Sequence, residues 1–375
     1  MDKFYNYNGM NIPIKIITAG FAIFSMIFGS SNVVFPLILG KNFESNWTIA
    51  NFGWCLATVL IPMIGYYGAM LFDADNKKYL KPLGKYTISI LIFVLMMMVL
   101  GVVSRGVNVS FGGIHIVSPK TSEIVFNLIF CIITILLAWH PGKIVQLLGL
   151  IFTPLKFGGI LIVILGAMYF SNSDIQLSEF PKSTALVDGF KWGYQTMDLL
   201  ASFIMATSIY IYIKSILPED EKENKKMLLK FCAWTCFIGG LVLAAVYSGL
   251  AFIGAKYAIQ LQGIADEALF TKVAETAMGN YASWFVAIVI SICCLATNII
   301  LSSVLTDYIF KDILKEKVNR RIILVSVGIL TLAISFFGFT TICSYMGIIL
   351  EKIYPVLIIF VVARIAVYYT KRIKN

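Results

Sequence analysis

The feature that most constrains this 375-residue chain is a series of apolar runs, each long enough to cross a lipid bilayer. The runs are continuous rather than alternating, and 59% of all residues are apolar while only 13% are charged. Because backbone polar groups inside a bilayer must be satisfied within the chain, continuous runs indicate helices rather than the strands of a closed barrel. The sequence therefore predicts an all-α polytopic membrane protein, with residues 1–375 forming one transmembrane domain.

Requiring roughly 20 apolar residues for each span separates about ten helices. The predicted spans cover about residues 14–39, 48–72, 85–104, 122–139, 145–170, 189–213, 229–254, 283–310, 321–341 and 344–369. An even number of spans places both termini on one side. Twenty Lys and Arg residues lie at the termini and in the loops of that side, against seven in the opposite loops, where Arg105 is counted. The positive-inside rule therefore predicts a multi-pass protein of a bacterial inner membrane with both termini in the cytoplasm.

Several classes of function find no support in the sequence. The formal net charge of +10 lies in short clusters between apolar runs, which indicates topology signals rather than a nucleic-acid partner. There is no phosphate-binding G-x-x-x-x-G-K loop, and the seven cysteines and two histidines form no ligand pattern, so no cofactor and no enzyme activity are predicted. A channel would need a repeated filter or a charged ring, and neither is visible. The lipid bilayer is the predicted environment, and the sequence does not fix the oligomeric state.

The first span is interrupted in its middle by the stretch Phe28-Gly29-Ser30-Ser31-Asn32, which Phe35 and Pro36 follow. Glycine lowers helix propensity, and serine and asparagine side chains compete for backbone hydrogen bonds, so unwinding is expected here. Unwound backbone at membrane depth is tolerated where it lines a cavity. We predict that these five residues contact a substrate; the alternative is a helix kink packed by small residues.

The sixth span carries a second interruption, from Gly189 to Asp198. Breaks in spans one and six of a ten-helix chain indicate a five-plus-five inverted repeat, over about residues 12–170 and 186–369. Such repeats bind substrate near the midplane, where half-helix N-termini suit a carboxylate and exposed carbonyls suit an ammonium or Na⁺. The predicted substrate contacts on this side are Gly193, Tyr194, Thr196, Met197 and Asp198.

Ionisable and hydroxyl side chains within the spans are the candidates for ion coupling. Asp198 holds the substrate ammonium or orients the broken helix; a helix-cap carboxylate is the alternative. A Na⁺ site is predicted between the backbone near Ile27 and the hydroxyls of span eight, with intrahelical bonding of those hydroxyls as the alternative. The span-eight candidates are Thr297, Ser302 and Ser303. Lys156, about a dozen residues into span five, is a candidate proton carrier, and snorkelling of its amine to the surface is the alternative.

At these breaks the sequence resembles the bacterial branched-chain amino acid transport carrier family, whose members are cation symporters for leucine, isoleucine and valine. The resemblance covers nearly the whole chain. It is carried by Phe28-Gly29-Ser30-Ser31-Asn32-Val33-Val34-Phe35-Pro36, Pro141-Gly142-Lys143, Pro154-Leu155-Lys156, Gly193-Tyr194-Gln195-Thr196-Met197-Asp198 and Ile353-Tyr354-Pro355. At the first break Ser30 and Ser31 stand where the family usually has Ala-Gly.

This resemblance implies a LeuT-like fold with broken helices 1 and 6 and with the substrate between them. It also implies import of leucine, isoleucine or valine by symport with Na⁺ or H⁺ through alternating access. Phe28, Tyr194 and Met197 are then the expected walls of the side-chain pocket. The alternative is a proton-coupled carrier of another small neutral amino acid or solute on the same fold.

Overall fold

The computed structural model describes residues 12–139, 153–171, 173–217 and 223–374. Within these ranges the chain is almost entirely helical and has no strand, which confirms the predicted all-α class. The helices are α1 Ile12–Ile27, α2 Ser30–Phe43, α3 Trp47–Cys55, α4 Ile61–Leu71, α5 Asn76–Leu80, α6 Gly84–Val117, α7 Glu123–Ala138, α8 Thr153–Phe170, α9 Lys182–Gly193, α10 Asp198–Ile216, α11 Lys225–Lys256, α12 Leu269–Met278, α13 Asn280–Tyr308, α14 Arg320–Ser335 and α15 Phe339–Lys374. The Pro141-Gly142-Lys143 motif and the start of the fifth predicted span lie outside the described residues.

Spans one and six are both broken, as the sequence predicts. Phe28 and Gly29 separate α1 from α2. A short 3₁₀ turn over Tyr194–Thr196, followed by Met197, separates α9 from α10. The first and sixth spans therefore each consist of two half-helices whose ends meet within the helical bundle.

The third span is longer than the sequence predicts. α6 has 34 residues and ends at Val117 rather than near residue 104. The helix continues because the residues after Arg105 remain mostly small or apolar. The prediction that Arg105 lies in a loop is therefore wrong: its side chain is fully buried, and its charge does not count in the comparison of loop cations.

Two further boundaries also differ from prediction. The sixth span begins at Lys182, directly after the extended Pro181, rather than near residue 189. α14 ends at Ser335 and α15 begins at Phe339, whereas the sequence predicts this turn near residues 342–343. Gly338 between them has φ +79°, a left-handed conformation that glycine adopts without strain and that commonly ends a helix.

α11 packs against both halves of the broken first span. A Cβ at Gly239 of α11 would lie 3.0 Å from the carbonyl oxygen of Gly20 in α1. A Cβ at Gly40 of α2 would overlap with the carbonyl oxygen of Ala251 in α11. Glycine permits both close approaches because it has no side chain. α11 thus holds α1 and α2 on one support and brings Tyr247 to the break between them.

Within the residues that the structure describes, length and composition identify five apolar helical stretches that could cross a membrane, together with three shorter apolar helices. The long stretches are Ser30–Leu71, Met96–Val117, Lys225–Lys256, Asn280–Lys311 and Phe339–Thr370. On the shorter α7, Ile124, Leu128, Ile132 and Leu136 are 45% to 66% exposed, as expected of a face that contacts lipid. The number of spans and the inverted repeat stay predictions.

Candidate functional site

The first break is a buried, non-helical point between two half-helices. Gly29 is extended, with φ −110° and ψ −168°, and its N–H donates to Oδ1 of Asn32 at 3.2 Å. Phe28, Ser30, Ser31 and Asn32 are all at most 4% exposed. The side chain of Asn32 thus caps α2. The last carbonyls of α1 have no following helical N–H groups from which to accept hydrogen bonds.

The second break contains a strained residue. Met197 has φ 57° and ψ 24°, a left-handed conformation that is uncommon for a residue with a side chain. Its N–H donates to the carbonyl of Tyr194, and α10 begins immediately afterwards at Asp198. Such strain persists only where surrounding structure enforces it and is typical of functional sites. Gly193, Tyr194, Thr196, Met197 and Asp198 are all buried here.

One side chain joins the two breaks. Nδ2 of Asn32 donates to Oδ2 of Asp198 at 3.1 Å, across 166 positions of sequence. The same amide group also donates to the phenol oxygen of Tyr247 on α11. Asp198 is 2% exposed, so its carboxylate lies in the interior between the half-helices. The structure therefore brings together the substrate residues that the sequence predicts at both breaks.

Aromatic side chains surround this junction. Phe28 stacks on Tyr247 with ring centroids 5.9 Å apart, and Tyr194 lies 4.6 Å from Tyr354 of α15. The phenols of Tyr66, Tyr247 and Tyr354 are within electrostatic range of Asp198. The Asp198 carboxylate thus lies among phenol oxygens, and the rings that carry these oxygens are otherwise apolar.

Lys156 lies beside the first break and does not reach the surface. It is 6% exposed, and its Nζ lies 5.2 Å from the centroid of the Phe28 ring. Cys293 and Cys294 of α13 are its electrostatic neighbours. Among the residues that the structure describes, Lys156 forms no ion pair. The ammonium is therefore held by an aromatic face and by sulfur atoms rather than by a carboxylate.

The span-eight hydroxyls do not form one cluster. Thr297 faces the first break, because a Cβ at Gly29 would lie 3.7 Å from its methyl group, but its hydroxyl donates to the carbonyl of Cys293. Ser302 instead lines a small cavity between α6, α7, α13 and α14, with room for roughly one water molecule. Ser303 is buried, and its hydroxyl has no partner among the described residues. Of the predicted Na⁺ ligands, Thr297 and the Ile27 backbone are therefore the pair close to the break.

Sequence reasoning missed Arg105 as a site residue. Nη2 of Arg105 donates to the carbonyl of Gln195 in the second break at 3.0 Å, and Nη1 lies 3.7 Å from Sγ of Cys343. The guanidinium carbon lies 6.0 Å from the ring centroid of Phe35 in α2. A signal existed, since the run after Arg105 stays largely apolar as far as Val117. Tyr66, Tyr247 and Tyr354 were also missed, because tyrosines within spans are common enough to carry no signal.

Several polar atoms at the two breaks are buried and have no hydrogen-bond partner within the described part of the chain. They are Oγ of Ser31, Nε of Arg105, both side-chain polar atoms of Asn108 and Oε1 of Gln195. Leaving such a group unpaired costs about 1–3 kcal/mol in a typical protein. Atoms of this kind around a helix break are the groups that a polar ligand would use.

A family model described as "Branched-chain amino acid transport protein" matches residues 13–375. The chain belongs to this family. The match confirms the resemblance at the breaks. Because this is a family of transport proteins, it also confirms the prediction that the chain is a transporter and not an enzyme.

Curated relatives of the transport family align over most of their length. The chain is 29% identical over 362 residues to the branched-chain amino acid permease BraB of Bacillus subtilis (strain 168), covering 94% of this chain and 80% of the relative. It is 26% identical over 353 residues to the permease BrnQ of the same organism, covering 92% and 79%. It is 25% identical over 358 residues to the permease BrnQ of Escherichia coli (strain K12), again covering 92% and 79%.

A solved structure shows the same fold at low sequence identity. The inward-facing conformation of Mhp1 superposes with a TM-score of 0.68 at 10% identity, and the match covers 92% of this chain and 75% of that one. Mhp1 has the LeuT-like fold, so the predicted fold class of this member of the transport family is confirmed.

Proposed function

We propose that this protein is a secondary transporter that imports leucine, isoleucine and valine across a bacterial inner membrane by symport with a cation. The family match over residues 13–375 and the names of the relatives support the substrate class. The broken helices support a transporter that exposes one central site to each side in turn. Both termini face the cytoplasm in this proposal.

The observation that carries the proposal is the hydrogen bond between Asn32 and Asp198. It connects two half-helix junctions in the interior, and one member is a carboxylate that is 2% exposed. A buried ionised group is costly unless it is paired or used, and in a membrane it is functional by default. The link also requires both breaks to keep their relative position, as a site formed between them would need.

The substrate lies between the two breaks in this proposal. Its ammonium faces Asp198 and the carbonyl end of α1, and its carboxylate faces the half-helix N–H groups. Phe28, Tyr194 and Met197 surround its side chain, and these three residues are at most 6% exposed. An apolar wall of this kind favours a branched aliphatic side chain, because each buried CH₂ group contributes about 0.8 kcal/mol.

Na⁺ is the first candidate for the coupling ion. The carbonyl of Ile27 and the hydroxyl of Thr297 supply oxygens at the first break, and oxygen ligands suit a hard cation. Ser302 and Ser303, the other two predicted ligands, lie further along α13, and Ser302 lines a separate small cavity. Ser303 has a hydroxyl without a partner among the described residues, which supports a ligand role.

A proton is the second candidate, and the position of Lys156 favours it. Its amine is buried beside Phe28 without a counter-ion in the described part of the chain. A buried lysine, unlike an arginine, can lose its proton. A proton-coupled carrier of another small neutral amino acid or solute is the corresponding alternative function, and the hydroxyls of Ser30 and Ser31 at the break support a polar substrate.

The test is uptake of labelled leucine, isoleucine and valine into proteoliposomes, with Na⁺ and proton gradients imposed separately. We expect one gradient to drive accumulation and all three amino acids to compete with one another. Accumulation driven only by Na⁺ supports the oxygen site, whereas accumulation driven only by protons supports Lys156. If neither gradient drives uptake and no branched-chain amino acid competes, the proposed function is wrong.

A further inference from the structure

Arg105 is an arginine in the middle of a helix bundle with no counter-ion among the described residues. It is 0% exposed, and none of the ion pairs in that part of the chain involves it. Taking an unpaired guanidinium out of water is costly, and a charge at membrane depth therefore marks a functional position. Arginine also keeps its charge under all ordinary conditions, so loss of a proton does not relieve the cost.

The hydrogen bonds of Arg105 leave much of its donor capacity unused. A guanidinium has five N–H donors. One donates to the Gln195 carbonyl at 3.0 Å, and the contact with Sγ of Cys343 at 3.7 Å is weak. Nε is buried and has no partner within the described ranges. One turn along α6, the amide of Asn108 is also buried and unpartnered. The guanidinium of Arg105 thus has N–H donors without partners beside the second break.

A negative charge lies on the same break. Asp198 begins α10 three residues after Gln195, and its carboxylate is within electrostatic range of Arg105 without forming an ion pair. Glu267, in the 3₁₀ turn before α12, packs on α6 against Gly112, two turns away from Arg105. Opposite charges that flank a break but do not neutralise each other form a complement to a molecule that carries both charges. A free amino acid is such a molecule.

We propose that Arg105 binds the α-carboxylate of the transported amino acid. The proposal rests on the proposed function and adds a residue of a third helix, α6, to a site otherwise formed by α1, α2, α9 and α10. A planar guanidinium matches a carboxylate in a bidentate manner, and bonds between two charged partners are the strong ones. The Gln195 carbonyl holds the fork at the break, and Phe35 lies over its face.

The rival explanation is that Arg105 only positions the break through Gln195. A substrate analogue that lacks the carboxylate distinguishes these two roles. Leucinamide keeps the side chain and the ammonium of leucine but lacks the carboxylate. The measurement is competition by leucine and by leucinamide against uptake of labelled leucine, and the readout is the ratio of their half-inhibitory concentrations.

In the wild type we expect leucine to compete on the order of 10- to 100-fold better than leucinamide, as a charged hydrogen-bond partner predicts. Arg105→Gln should weaken competition by leucine and lower the ratio about tenfold, because only the half-helix N–H groups then face the carboxylate. Arg105→Lys should give an intermediate ratio, because it keeps the charge but not the planar fork. Arg364→Gln is the matched control. Arg364 also donates to a backbone carbonyl, that of Lys78, and lies 3.9 Å from the ring centroid of Phe72.

A folded Arg105→Gln protein that loses leucine affinity but keeps the wild-type ratio would overturn the proposal and leave Arg105 a positioning residue. A wild-type protein for which leucine and leucinamide compete equally well would also overturn the proposal. Folding is checked by gel filtration and thermal melting in detergent; if Arg105→Gln does not fold, the ratio in Arg105→Lys decides. If leucine outcompetes leucinamide in the wild type and Arg105→Gln reduces this difference, but isoleucine and valine do not inhibit uptake, the proposed substrate class is wrong and the role of Arg105 is supported.

Discussion

Two buried cations flank the junction of the broken helices, and they are held in different ways. Lys156 lies against Phe28 at the end of α1, with cysteine neighbours and no hydrogen bond to any described residue that fixes its Nζ. Arg105 lies beside α2 and is tied to the backbone of the second break through the Gln195 carbonyl. Both are at most 6% exposed, and neither has a carboxylate partner in the described ranges.

This difference indicates which cation is suited to proton coupling and which to substrate binding. An ammonium on a flexible stem can release its proton and move, whereas a guanidinium keeps its charge and its plane. An unfixed lysine is suited to a charge that changes during a transport cycle. A fixed arginine is suited to a charge that remains while a substrate arrives and leaves. Asp198 lies at the second break and is bonded to Asn32 of the first, so its removal has the largest expected effect.

Asp198→Asn should lower leucine uptake on the order of 100-fold, because a carboxylate in charged hydrogen bonds is replaced by a neutral group of the same shape. The amide keeps an oxygen for Asn32, so the protein should still insert and remain monodisperse in detergent. Uptake into proteoliposomes and the amount of inserted protein are measured together.

Asp188→Asn is the control for this prediction. Asp188 lies in α9 of the same span, away from the break, and is partly exposed. It should transport at close to the wild-type rate. Full activity of Asp198→Asn would remove the carboxylate from the mechanism and leave it as the cap of α10.

Lys156→Met should reduce proton-driven accumulation on the order of 10-fold, because methionine fills the space beside Phe28 but carries no proton. Leucine exchange without a gradient should persist, since exchange needs the substrate site and not the coupling charge. The measurement compares counterflow with accumulation at an imposed pH gradient. Unchanged proton-driven accumulation would remove Lys156 from the coupling step and leave it a cation of fixed charge, as Arg105 is, which would end the contrast between them.

Lys214→Met is the matched control for Lys156. The amine of Lys214 also lies over an aromatic ring, 4.8 Å from the centroid of Tyr210, but it is exposed at the end of α10. A cation on an exposed ring contributes only about 0.5–1 kcal/mol. We expect both exchange and accumulation to stay close to wild type in this variant.

The fold could be predicted from the sequence because the bilayer allows few alternatives. Continuous apolar runs require helices, and the residues around Gly29 and Gly193 interrupt them visibly. The length of α6 was not predicted, although the run stays largely apolar as far as Val117, because a charge in an apolar run ordinarily ends a span. Arg105 breaks that rule since its guanidinium finds the carbonyl of Gln195, 90 positions away in the sequence. Contacts of such separation leave no local pattern.

The parts of the candidate site at the helix breaks were predictable from residue type. The parts formed by packing between distant helices were not. Gly29, Asn32 and Asp198 are visible because their residue types are unusual at membrane depth. Tyr247 was not, although it accepts a bond from Asn32, because a tyrosine in α11 has no distinguishing sequence context. Thr297 and Ser302 are five residues apart, about 140° around a helix, so their separation follows from the helical period. Which of the two faces the break depends on the rotation of α13, which hydroxyl spacing alone does not determine.

Ser302→Ala combined with Ser303→Ala should raise the Na⁺ concentration for half-maximal uptake about fivefold, the effect of losing neutral oxygen ligands worth roughly 1 kcal/mol. Proton-driven uptake should not change. The control is Ser326→Ala combined with Ser344→Ala, two exposed serines bonded to their own helices. An unchanged Na⁺ dependence would remove these hydroxyls from the ion site and leave Lys156 as the coupling group beside the first break.

The smallest expected effect concerns Ser31, which lies at the first break. Its hydroxyl is buried and unpartnered within the described residues, so it is free for a substrate hydroxyl. Valine and threonine have the same shape and differ by that hydroxyl. Ser31→Ala should therefore raise the preference for valine over threonine about threefold, as loss of one weak neutral hydrogen bond predicts.

Competition by valine and threonine against labelled leucine measures this preference. The control Ser283→Ala removes a buried hydroxyl that is already bonded, to the carbonyl of Asn280, at the far end of α13. It should leave the ratio unchanged. If Ser31→Ala also leaves it unchanged, Ser31 does not face the substrate, and the substrate lies closer to the second break. The site would then be centred on Asp198 and Arg105, and Lys156 would act on it only across the length of the break.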